Sequence, residues 1–277
     1  MEVKLIFDNK KIEAAIFDMD GTMFDTEALR MKMLKEASLL ICDTELSDNF
    51  LYSAFGLSAE SSEIMAKDYY GKDYPYKEVR KKSDELELEF VRKNGVPIKI
   101  GLLGVLERLK KSDVLIALAT SSKRQVALEY LTKAGVLNFF NIVICGDDVV
   151  KGKPDPEIFA LAISELNVQS ERCIILEDSE NGLIAAYASK AMPIYIKDIV
   201  DCSEETKSKA YKCYCSMEDF GDDLAEFTPK MNVPSLNEHI PQSFENIKAG
   251  IHGFGAIGGG ILRKFFLTGT GMCIRLR

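Results

Sequence analysis

Short apolar runs alternate with segments of helical periodicity along most of this chain. Five runs rich in strand-forming residues predict strands, at 12–18, 114–119, 141–145, 173–176 and 193–196. Apolar residues spaced three or four apart predict helices between them, at 102–111, 124–135, 156–167 and 181–191. Strands that alternate with helices in this way indicate a parallel sheet covered on both faces. The pattern therefore predicts an α/β protein whose core is a doubly wound, Rossmann-like parallel sheet.

The segment between the first two predicted strands has a different pattern. From about residue 26 to 94, charged and apolar residues interleave at helical spacing, with only short turn signals among them. We therefore expect an inserted helical cap domain over 23–95, set into a core formed by 1–22 and 96–217. A turn at residues 8–10 predicts one more strand ahead of the first.

Polar side chains follow four of the predicted strands. In chain order they are Asp18, Asp20 and Gly21; Thr120, Ser121 and Ser122; Lys153; and Glu177 and Asp178. Ligands bind beyond the carboxyl ends of the strands in sheets of this type, so we expect these groups to converge. Clustered carboxylates repel one another without a cation, and their hard oxygen ligands suit Mg²⁺. Hydroxyls and one ammonium suit a phosphate, and the whole set predicts a phosphoryl-transfer site.

Each of these groups also has an ordinary structural explanation. Asp18 or Asp20 could form a turn before Gly21, and residues 120–122 or 177–179 could cap the helices that follow them. Lys153 on its own would be a solvated surface lysine. The occurrence of all four groups, each after a predicted strand, favours the functional interpretation.

Four segments of the chain resemble the signature motifs of one known family, the haloacid dehalogenase superfamily. They read FDMDGTMFDTE, ALATSSKR, GKPDPEIF and LEDSENGLIAA. The resemblance covers about residues 12 to 200 and is to the branch that contains β-phosphoglucomutase and small sugar-phosphate phosphatases. That family has a doubly wound core with a helical cap inserted after the first strand, in agreement with the periodicity.

The resemblance implies a role for each motif residue. Asp18 is the expected nucleophile, which forms an aspartyl-phosphate, and Asp20 is the expected acid and base. Mg²⁺ would be held by the Asp18 carboxylate, the Asp20 carbonyl and Asp178, with Glu177 as a further ligand or as a partner of a ligand. Thr120 would donate to the phosphoryl group, and Lys153 would neutralise the nucleophile. Residues expected to contact the substrate are Gly21, Ser121, Ser122, Lys123 and Arg124.

The residues at the start of the insert distinguish the mutases of this branch from its phosphatases. The mutases carry a histidine there, whereas residues 23–30 of this chain contain none, and Asp25-Thr26-Glu27 resembles the phosphatases. We therefore favour a phosphatase that hydrolyses a small phosphorylated sugar or polyol through an aspartyl-phosphate, with a hexose-phosphate mutase as the alternative.

Residues 55–58 resemble a cap loop facing the active site. Tyrosines near them either line the pocket or pack the cap helices: Tyr69, Tyr70, Tyr74 and Tyr76.

The C-terminal segment departs from the strand and helix alternation. Prolines punctuate a polar stretch that predicts a linker over 218–246, and 247–277 carries the fingerprint Gly253-Phe254-Gly255-Ala256-Ile257-Gly258. This tail resembles the opening of a mannitol-type dehydrogenase, which raises the further alternative of a fragment of a bifunctional phosphatase and polyol-phosphate dehydrogenase. A dinucleotide-binding unit needs roughly 30 residues and a later acidic residue, so we expect a truncated remnant without NAD binding.

Composition narrows the setting in which the protein acts. The net charge of -8 argues against binding to nucleic acid, and no apolar run reaches the roughly 18 residues of a membrane span. The seven cysteines are irregularly spaced, which indicates reduced thiols and a cytoplasmic location. We expect the partner to be a small phosphorylated metabolite, and the protein to be a monomer or a weak dimer.

Overall fold

The computed structural model of the chain describes residues 5–54, 57 and 59–227. The chain divides into two compact units, Met1–Pro229 and Lys230–Arg277, and the second lies outside the described residues. The predicted tail over 247–277 and most of the predicted linker therefore lie outside them too. Three residues of the predicted cap loop do so as well, namely Phe55, Gly56 and Ser58.

The chain begins with a small hairpin that is separate from the main sheet. Strands β1 (Leu5–Phe7) and β2 (Lys10–Ile12) pair antiparallel around a two-residue turn. Both turn residues have positive φ, 50° at Asp8 and 63° at Asn9, as tight hairpin turns of this length require. The strand expected ahead of the first is thereby confirmed, but the predicted strand at 12–18 is split between β2 and the next strand.

A six-stranded sheet of parallel strands forms the core and confirms the predicted fold class. Its order is β5-β4-β3-β6-β7-β8, so β3 lies near the middle. The strands are β3 (Ala14–Phe17), β4 (Leu115–Ala119), β5 (Ile142–Ile144), β6 (Cys173–Glu177), β7 (Met192–Ile196) and β8 (Lys212–Tyr214). The sequence pattern places the last predicted strand at 193–196, and this is wrong, because β8 adds an edge strand after it. Two of its three residues are partly exposed, Cys213 is exposed, and they contain no apolar run, which is why the sequence pattern gives no sign of this strand.

Four helices occupy most of the segment between β3 and β4, and they are called the cap below. They are α1 (Thr26–Cys42), α2 (Asp48–Ala54), α3 (Ala59–Tyr70) and α4 (Tyr76–Asn94). The cap has an apolar cluster of its own around Phe50, whose ring lies 5.2 Å from that of Tyr70. Tyr74 and Tyr76 are buried in the same cluster, so most of the tyrosines pack the cap helices.

The two chain segments that connect the cap to the core run side by side. Phe24 and Ile98 form an antiparallel bridge, and the amide of Asp25 donates to the carbonyl of Pro97 at 2.9 Å. The amide of Lys99 donates to the carbonyl of Met23 at 3.0 Å. The cap therefore leaves and rejoins the core at a single place, beside the end of β3.

The remaining helices cover both faces of the sheet. They are α5 (Leu102–Lys111), α6 (Arg124–Lys133), α7 (Glu157–Leu166), α8 (Glu180–Ala188), α9 (Glu204–Lys207) and α10 (Met217–Phe227). Successive β3 residues enter different apolar clusters: Phe17 joins side chains of α5, α6 and α10, whereas Ile16 joins side chains of α7 and α8. A sheet buried on both faces gives uniformly apolar strands, as the sequence pattern indicates.

Helix α10 corrects the predicted start of the linker at 218. Met217, Phe220 and Leu224 are buried against the core, and they recur at helical spacing. The helical signal is therefore present in the sequence, but it is short and lies beside a polar stretch.

Among the described helices, none combines the length and the apolar character needed to cross a lipid bilayer.

Candidate active site

The carboxyl ends of three neighbouring strands bring the predicted site residues together. Asp18 follows β3, Thr120 follows β4, and Glu177 ends β6 with Asp178 directly after it. The amide of Asp18 donates to the carbonyl of Leu176 at 3.0 Å, which continues the ladder between β3 and β6 up to the site. The backbone hydrogen bonds of the sheet therefore fix the positions of these side chains.

Lys153 lies at the centre of the buried charges. Its ammonium donates to Asp18 Oδ1, to Glu177 Oε1 at 2.6 Å and to the carbonyl of Ala119 at 3.2 Å. The side chain is only 6% exposed. Burial works to lower the pKa of this ammonium, but the two carboxylates raise it above its ordinary value. Lys153 therefore stays charged and holds the Asp18 carboxylate at a defined position.

The carboxylates around Lys153 outnumber the positive charge beside them. Burial is the largest influence on the pKa of Asp18 and raises it, Lys153 lowers it, and the nearby Glu177 raises it. The net result is a pKa raised to about 8. Burial and the nearby Glu177 and Asp18 raise the pKa of Asp178 well above its ordinary value. The hydroxyl of Thr22 donates to Asp178 Oδ1 at 2.6 Å. A cation at this position would relieve the repulsion and favour the ionised forms.

Both oxygens of the Glu177 carboxylate accept hydrogen bonds from the protein. Its Oε2 accepts from the amides of Asp178 and Ser179, both at 2.9 Å, while its Oε1 accepts from Lys153. A Cβ atom on Gly182, in the first turn of α8, would lie 1.8 Å from the Glu177 carboxyl group. Helix α8 thus packs directly on Glu177. This arrangement favours the interpretation of Glu177 as a positioning partner of Lys153 over that of a direct ligand.

Asp20 is oriented by both the core and the cap. Its Oδ2 accepts from the hydroxyl of Ser122 at 2.7 Å, and its Oδ1 accepts from the hydroxyl of Thr26 at 2.7 Å. The guanidinium of Arg30 lies 3.6 Å from Oδ1. Because Thr26 and Arg30 are one turn apart in α1, the first cap helix holds one side of this carboxylate.

Arg30 connects Asp20 to a buried polar network that the motifs do not reveal. Its guanidinium donates to Glu27 at 3.0 Å and to Glu87 at 3.3 Å. Glu87 in turn accepts from the hydroxyl of Tyr130 at 2.8 Å, which joins cap helix α4 to core helix α6. The sequence signal for Arg30 is its spacing of four residues after Thr26, on the same face of α1.

Gly21, Thr120 and Arg124 are also predicted to belong to the site, and the structure gives each of them a different role. Gly21 has a φ of +81°, and a Cβ atom there would lie 2.3 Å from Asp178 Oδ2, so it makes room for that carboxylate. Thr120 is buried, and its hydroxyl accepts from the amide of Ser122 at 3.1 Å. Arg124 donates to Asp148 and to the carbonyl of Val143 at 2.9 Å, which directs its guanidinium toward β5.

A cavity of about 790 Å³ lies between these core residues and the cap. Ser121 and Ser122 line it, whereas Lys123 and Arg124 do not. Its core wall carries seven charged groups: Asp18, Asp20, Lys153, Glu177, Asp178, Glu180 and Asp201. Its cap wall is mainly apolar and includes Met31, Leu34, Leu57, Tyr76 and the guanidinium side chain of Arg80. Leu57 belongs to the predicted cap loop, and Arg80 is a lining residue that no motif indicates.

The chain belongs to a family of hydrolases. Residues 15–196 match the family model described as haloacid dehalogenase-like hydrolase, which is more than half of the chain. The chain is therefore a member of the haloacid dehalogenase-like hydrolases, and the resemblance of its four motifs is confirmed.

Three known proteins illustrate the similarity. The phosphorylated carbohydrates phosphatase of Thermotoga maritima is 31% identical over 187 residues, covering 66% of this chain and 84% of that protein. The β-phosphoglucomutase of Bacillus subtilis is 27% identical over 183 residues, covering 63% and 78%. The crystal structure of CbbY from Rhodobacter sphaeroides in complex with phosphate has a TM-score of 0.65 at 24% identity and covers 77% and 99%, which shows the shared fold.

Proposed function

We propose that this protein is a Mg²⁺-dependent phosphoric monoester hydrolase that acts on a small phosphorylated sugar or polyol. The observation that carries the proposal is the placement of Asp18, which is buried, bound by Lys153 and located on the core wall of the cavity. A carboxylate held in this way serves as a nucleophile rather than as a solvated surface charge. The named phosphatase among the relatives supports the same reaction type.

The residues present fit a Mg²⁺ ion. Buried carboxylates with raised pKa values lie together at Asp18 and Asp178, and a further buried carboxylate oxygen, Oδ2 of Asp198, has no hydrogen-bond partner among the described residues. Asp18, Asp178 and the carbonyl of Asp20 would hold the ion, which prefers oxygen ligands of this kind. When bound, Mg²⁺ would offset the charge of the phosphate and of the carboxylates around it.

The chemistry assigned to the chain's own residues proceeds in two displacements. In the first, a carboxylate oxygen of Asp18 attacks phosphorus, the bond between phosphorus and the ester oxygen breaks, and the protonated Asp20 gives its proton to the leaving oxygen. In the second, Asp20 takes a proton from water, and the water oxygen attacks the phosphorus of the aspartyl-phosphate. The bond to Asp18 breaks, which releases inorganic phosphate and restores both carboxyl groups.

The hydrogen bonds of Asp20 suit this pair of proton transfers. Thr26 and Ser122 fix one oxygen each, so that the carboxyl group keeps one orientation through both displacements. The Arg30 side chain adds positive charge on the cap side of the same group. Lys153 remains on Asp18 and would also reach a phosphoryl oxygen, and Thr120 at the end of β4 would donate to another.

The cavity suits a leaving group of modest size. A volume of about 790 Å³ is within the range of small-molecule sites and leaves room for a monosaccharide beyond the phosphate. The apolar cap wall would exclude water when the substrate is bound, which protects the intermediate until the leaving group has departed. We place the enzyme in the cytoplasm, with reduced cysteines, as a monomer or a weak dimer.

The test is a phosphate-release screen with purified protein and Mg²⁺ over hexose, pentose and polyol phosphates. We expect at least one of these substrates to be hydrolysed, with loss of activity in chelator and inhibition by Ca²⁺, whose looser coordination would displace the nucleophile. Interconversion of hexose phosphates in the same reactions, without phosphate release, would identify a mutase instead. Undiminished activity in chelator would overturn the metal assignment.

A further inference from the structure

Asp198 lies at the carboxyl end of the sheet but belongs to none of the four motifs. It follows β7, the strand beside β6, so that the order of the sheet brings it next to the end of β6 and Asp178. Although it lies in a connecting segment, its side chain is only 4% exposed. An acidic side chain this deeply buried requires partners for its charge.

The two oxygens of Asp198 have different surroundings. Oδ1 accepts from the ammonium of Lys99. Oδ2 is fully buried and has no hydrogen-bond partner among the residues that the structure describes. A buried carboxylate oxygen without a donor is uncommon in folded proteins and calls for a specific explanation. The Lys99 contact alone does not supply one, because it satisfies only the other oxygen.

The unpartnered oxygen of Asp198 faces Asp178 across Gly21. If Gly21 carried a Cβ atom, that atom would lie 2.3 Å from Asp178 Oδ2 and 3.0 Å from Asp198 Oδ2. Both oxygens therefore border the small space left by the missing side chain. Two carboxylate oxygens placed on one such space repel each other unless a cation or a donor comes between them.

We propose that Asp198 is a further residue of the metal centre, whose Oδ2 accepts a hydrogen bond from a water molecule bound to Mg²⁺. This inference rests on the proposed function, which places Mg²⁺ on Asp178. The bound water supplies the donor that Oδ2 needs, and the ion offsets the repulsion between the two carboxylates. Residues that orient metal-bound groups in this way commonly change metal affinity when they are replaced.

Lys99 extends this arrangement to the base of the cap. Its ammonium contacts Asp25 Oδ1 at 2.6 Å as well as Asp198. Asp25 directly precedes α1, and Lys99 lies in the segment that returns from α4 to the core. A single lysine thus connects both cap connections to Asp198. The charge on Asp198 is balanced at Oδ1 by the cap connection and at Oδ2 by the metal centre.

The test is calorimetric titration of Mg²⁺ into the metal-free full chain. In Asp198→Asn the amide nitrogen would stand where Oδ2 lies and could not accept from water, so we expect Mg²⁺ affinity to fall by about tenfold or more. Asp25→Asn is the matched control, because it weakens the other contact of Lys99 and leaves Oδ2 in place. We expect its Mg²⁺ affinity to stay within about twofold of the wild type.

Asp178→Asn separates this inference from the proposed function, since it should abolish Mg²⁺ binding. Wild-type affinity in Asp198→Asn, with binding lost in Asp178→Asn, would overturn the role of Asp198 and leave the proposed metal site intact. Wild-type affinity in both variants would overturn the metal site and this inference together. Thermal melting without Mg²⁺ establishes that each variant is folded, and Asp198→Ser replaces Asp198→Asn in the titration if the latter does not fold.

Discussion

The core wall and the cap wall of the cavity are built in opposite ways. On the core wall, charged side chains at strand ends are buried and bound to one another, with Lys153 between Asp18 and Glu177. On the cap wall, apolar side chains such as Leu34 and Tyr76 pack within the cap's own cluster. The cap-wall cation Arg80 contacts Asp84 of its own helix at 3.6 Å, whereas Arg30 reaches Asp20 on the core wall. The arrangement of charges on the core wall therefore suits one reaction, whereas the apolar side chains of the cap wall can be replaced without changing that arrangement.

The difference follows from how each wall is supported. Strand ends are fixed by hydrogen bonds from neighbouring strands, so their side chains keep close distances that phosphoryl transfer requires. The cap helices have an apolar cluster of their own and two adjacent connections to the core, and only α1 and α4 also place side chains in the core cluster, among the described residues. Replacements on the core wall should accordingly lower the rate for every substrate, and replacements on the cap wall should change the preference among substrates.

The largest expected effect is on the core wall, at the nucleophile. Asp18→Asn removes the attacking carboxylate while keeping the size of the side chain, so turnover should fall by more than about 10⁴-fold on all substrates. Steady-state phosphate release on the best substrate of the screen measures this. Asp113→Asn is the matched control, since Asp113 is exposed, precedes β4 at the opposite end of that strand, and has a positive φ that asparagine tolerates. Substantial phosphate release by folded Asp18→Asn protein would rule out the covalent route.

The second prediction concerns pH and Mg²⁺ on the same wall. Because the pKa of Asp18 is raised to about 8 from 3.8, its neutral form stabilises the metal-free protein at low pH, and that contribution is lost as the pH rises toward 8. Mg²⁺ needs the ionised form, so its apparent affinity should rise by up to about tenfold per pH unit for each proton released.

Melting temperatures with and without Mg²⁺ at pH 6 and pH 8 test the sign of this effect. The increase in melting temperature on adding Mg²⁺ should be larger at pH 8. Asp18→Asn should reduce the pH dependence, because the titrating carboxyl group is gone. An equal or smaller increase at pH 8 would contradict the raised pKa.

The third prediction concerns Arg30, which lies between the two walls. Arg30→Met removes the charge near Asp20 and leaves Glu87 paired only with Tyr130, so the free energy of unfolding should fall by about 1–3 kcal/mol, the cost of a buried group that loses a hydrogen-bond partner. Turnover should fall by about tenfold because Asp20 loses one of the groups that orient it. Adding Glu87→Gln should restore part of the stability, measured by urea denaturation, but not the rate. Full recovery of the rate in the double variant would show that Arg30 acts only through folding.

The fourth prediction tests the cap wall at Arg80. Arg80→Gln should change kcat/KM by about tenfold or less, and unequally among the substrates, with the largest loss for those that carry a second anionic group. Arg92→Gln is a suitable control, since Arg92 pairs with Glu129 and does not line the cavity. A uniform loss in kcat across the whole panel would contradict the separation of the two walls.

The smallest effect is expected from removing residues 230–277. The candidate catalytic residues all belong to the first compact unit, Met1–Pro229. Truncation after residue 229 should leave kcat/KM within about threefold, a change in activation free energy below about 1 kcal/mol. Turnover of both chains on one substrate measures this. A large fall in turnover by truncated protein that is still folded would mean that the tail contributes to the site.

The sequence predicts the strand-end groups well because their placement follows from the topology of a parallel sheet. Asp18, Thr120 and Asp178 each come directly after or at the end of an apolar run, which needs no knowledge of distant contacts. Asp198 is missed because its significance depends on Lys99, which is 99 positions away, and on the space beside Gly21. Arg124 is expected near the substrate but pairs with Asp148, since the direction of a long side chain is set by neighbours that periodicity does not reveal.

The adjacent connections of the cap have a consequence for how the molecule can change over evolutionary time. Because Phe24 and Ile98 are paired, the two ends of the insert lie as close together as the ends of a short loop. A different insert with the same spacing between its ends could be grafted there without altering the register of β3 and β4, as domain insertion at closely spaced chain ends generally allows. Such an insert would have to keep the side chains of its first and last helices that bind or pack on the core, as Thr26, Leu29 and Val91 do here.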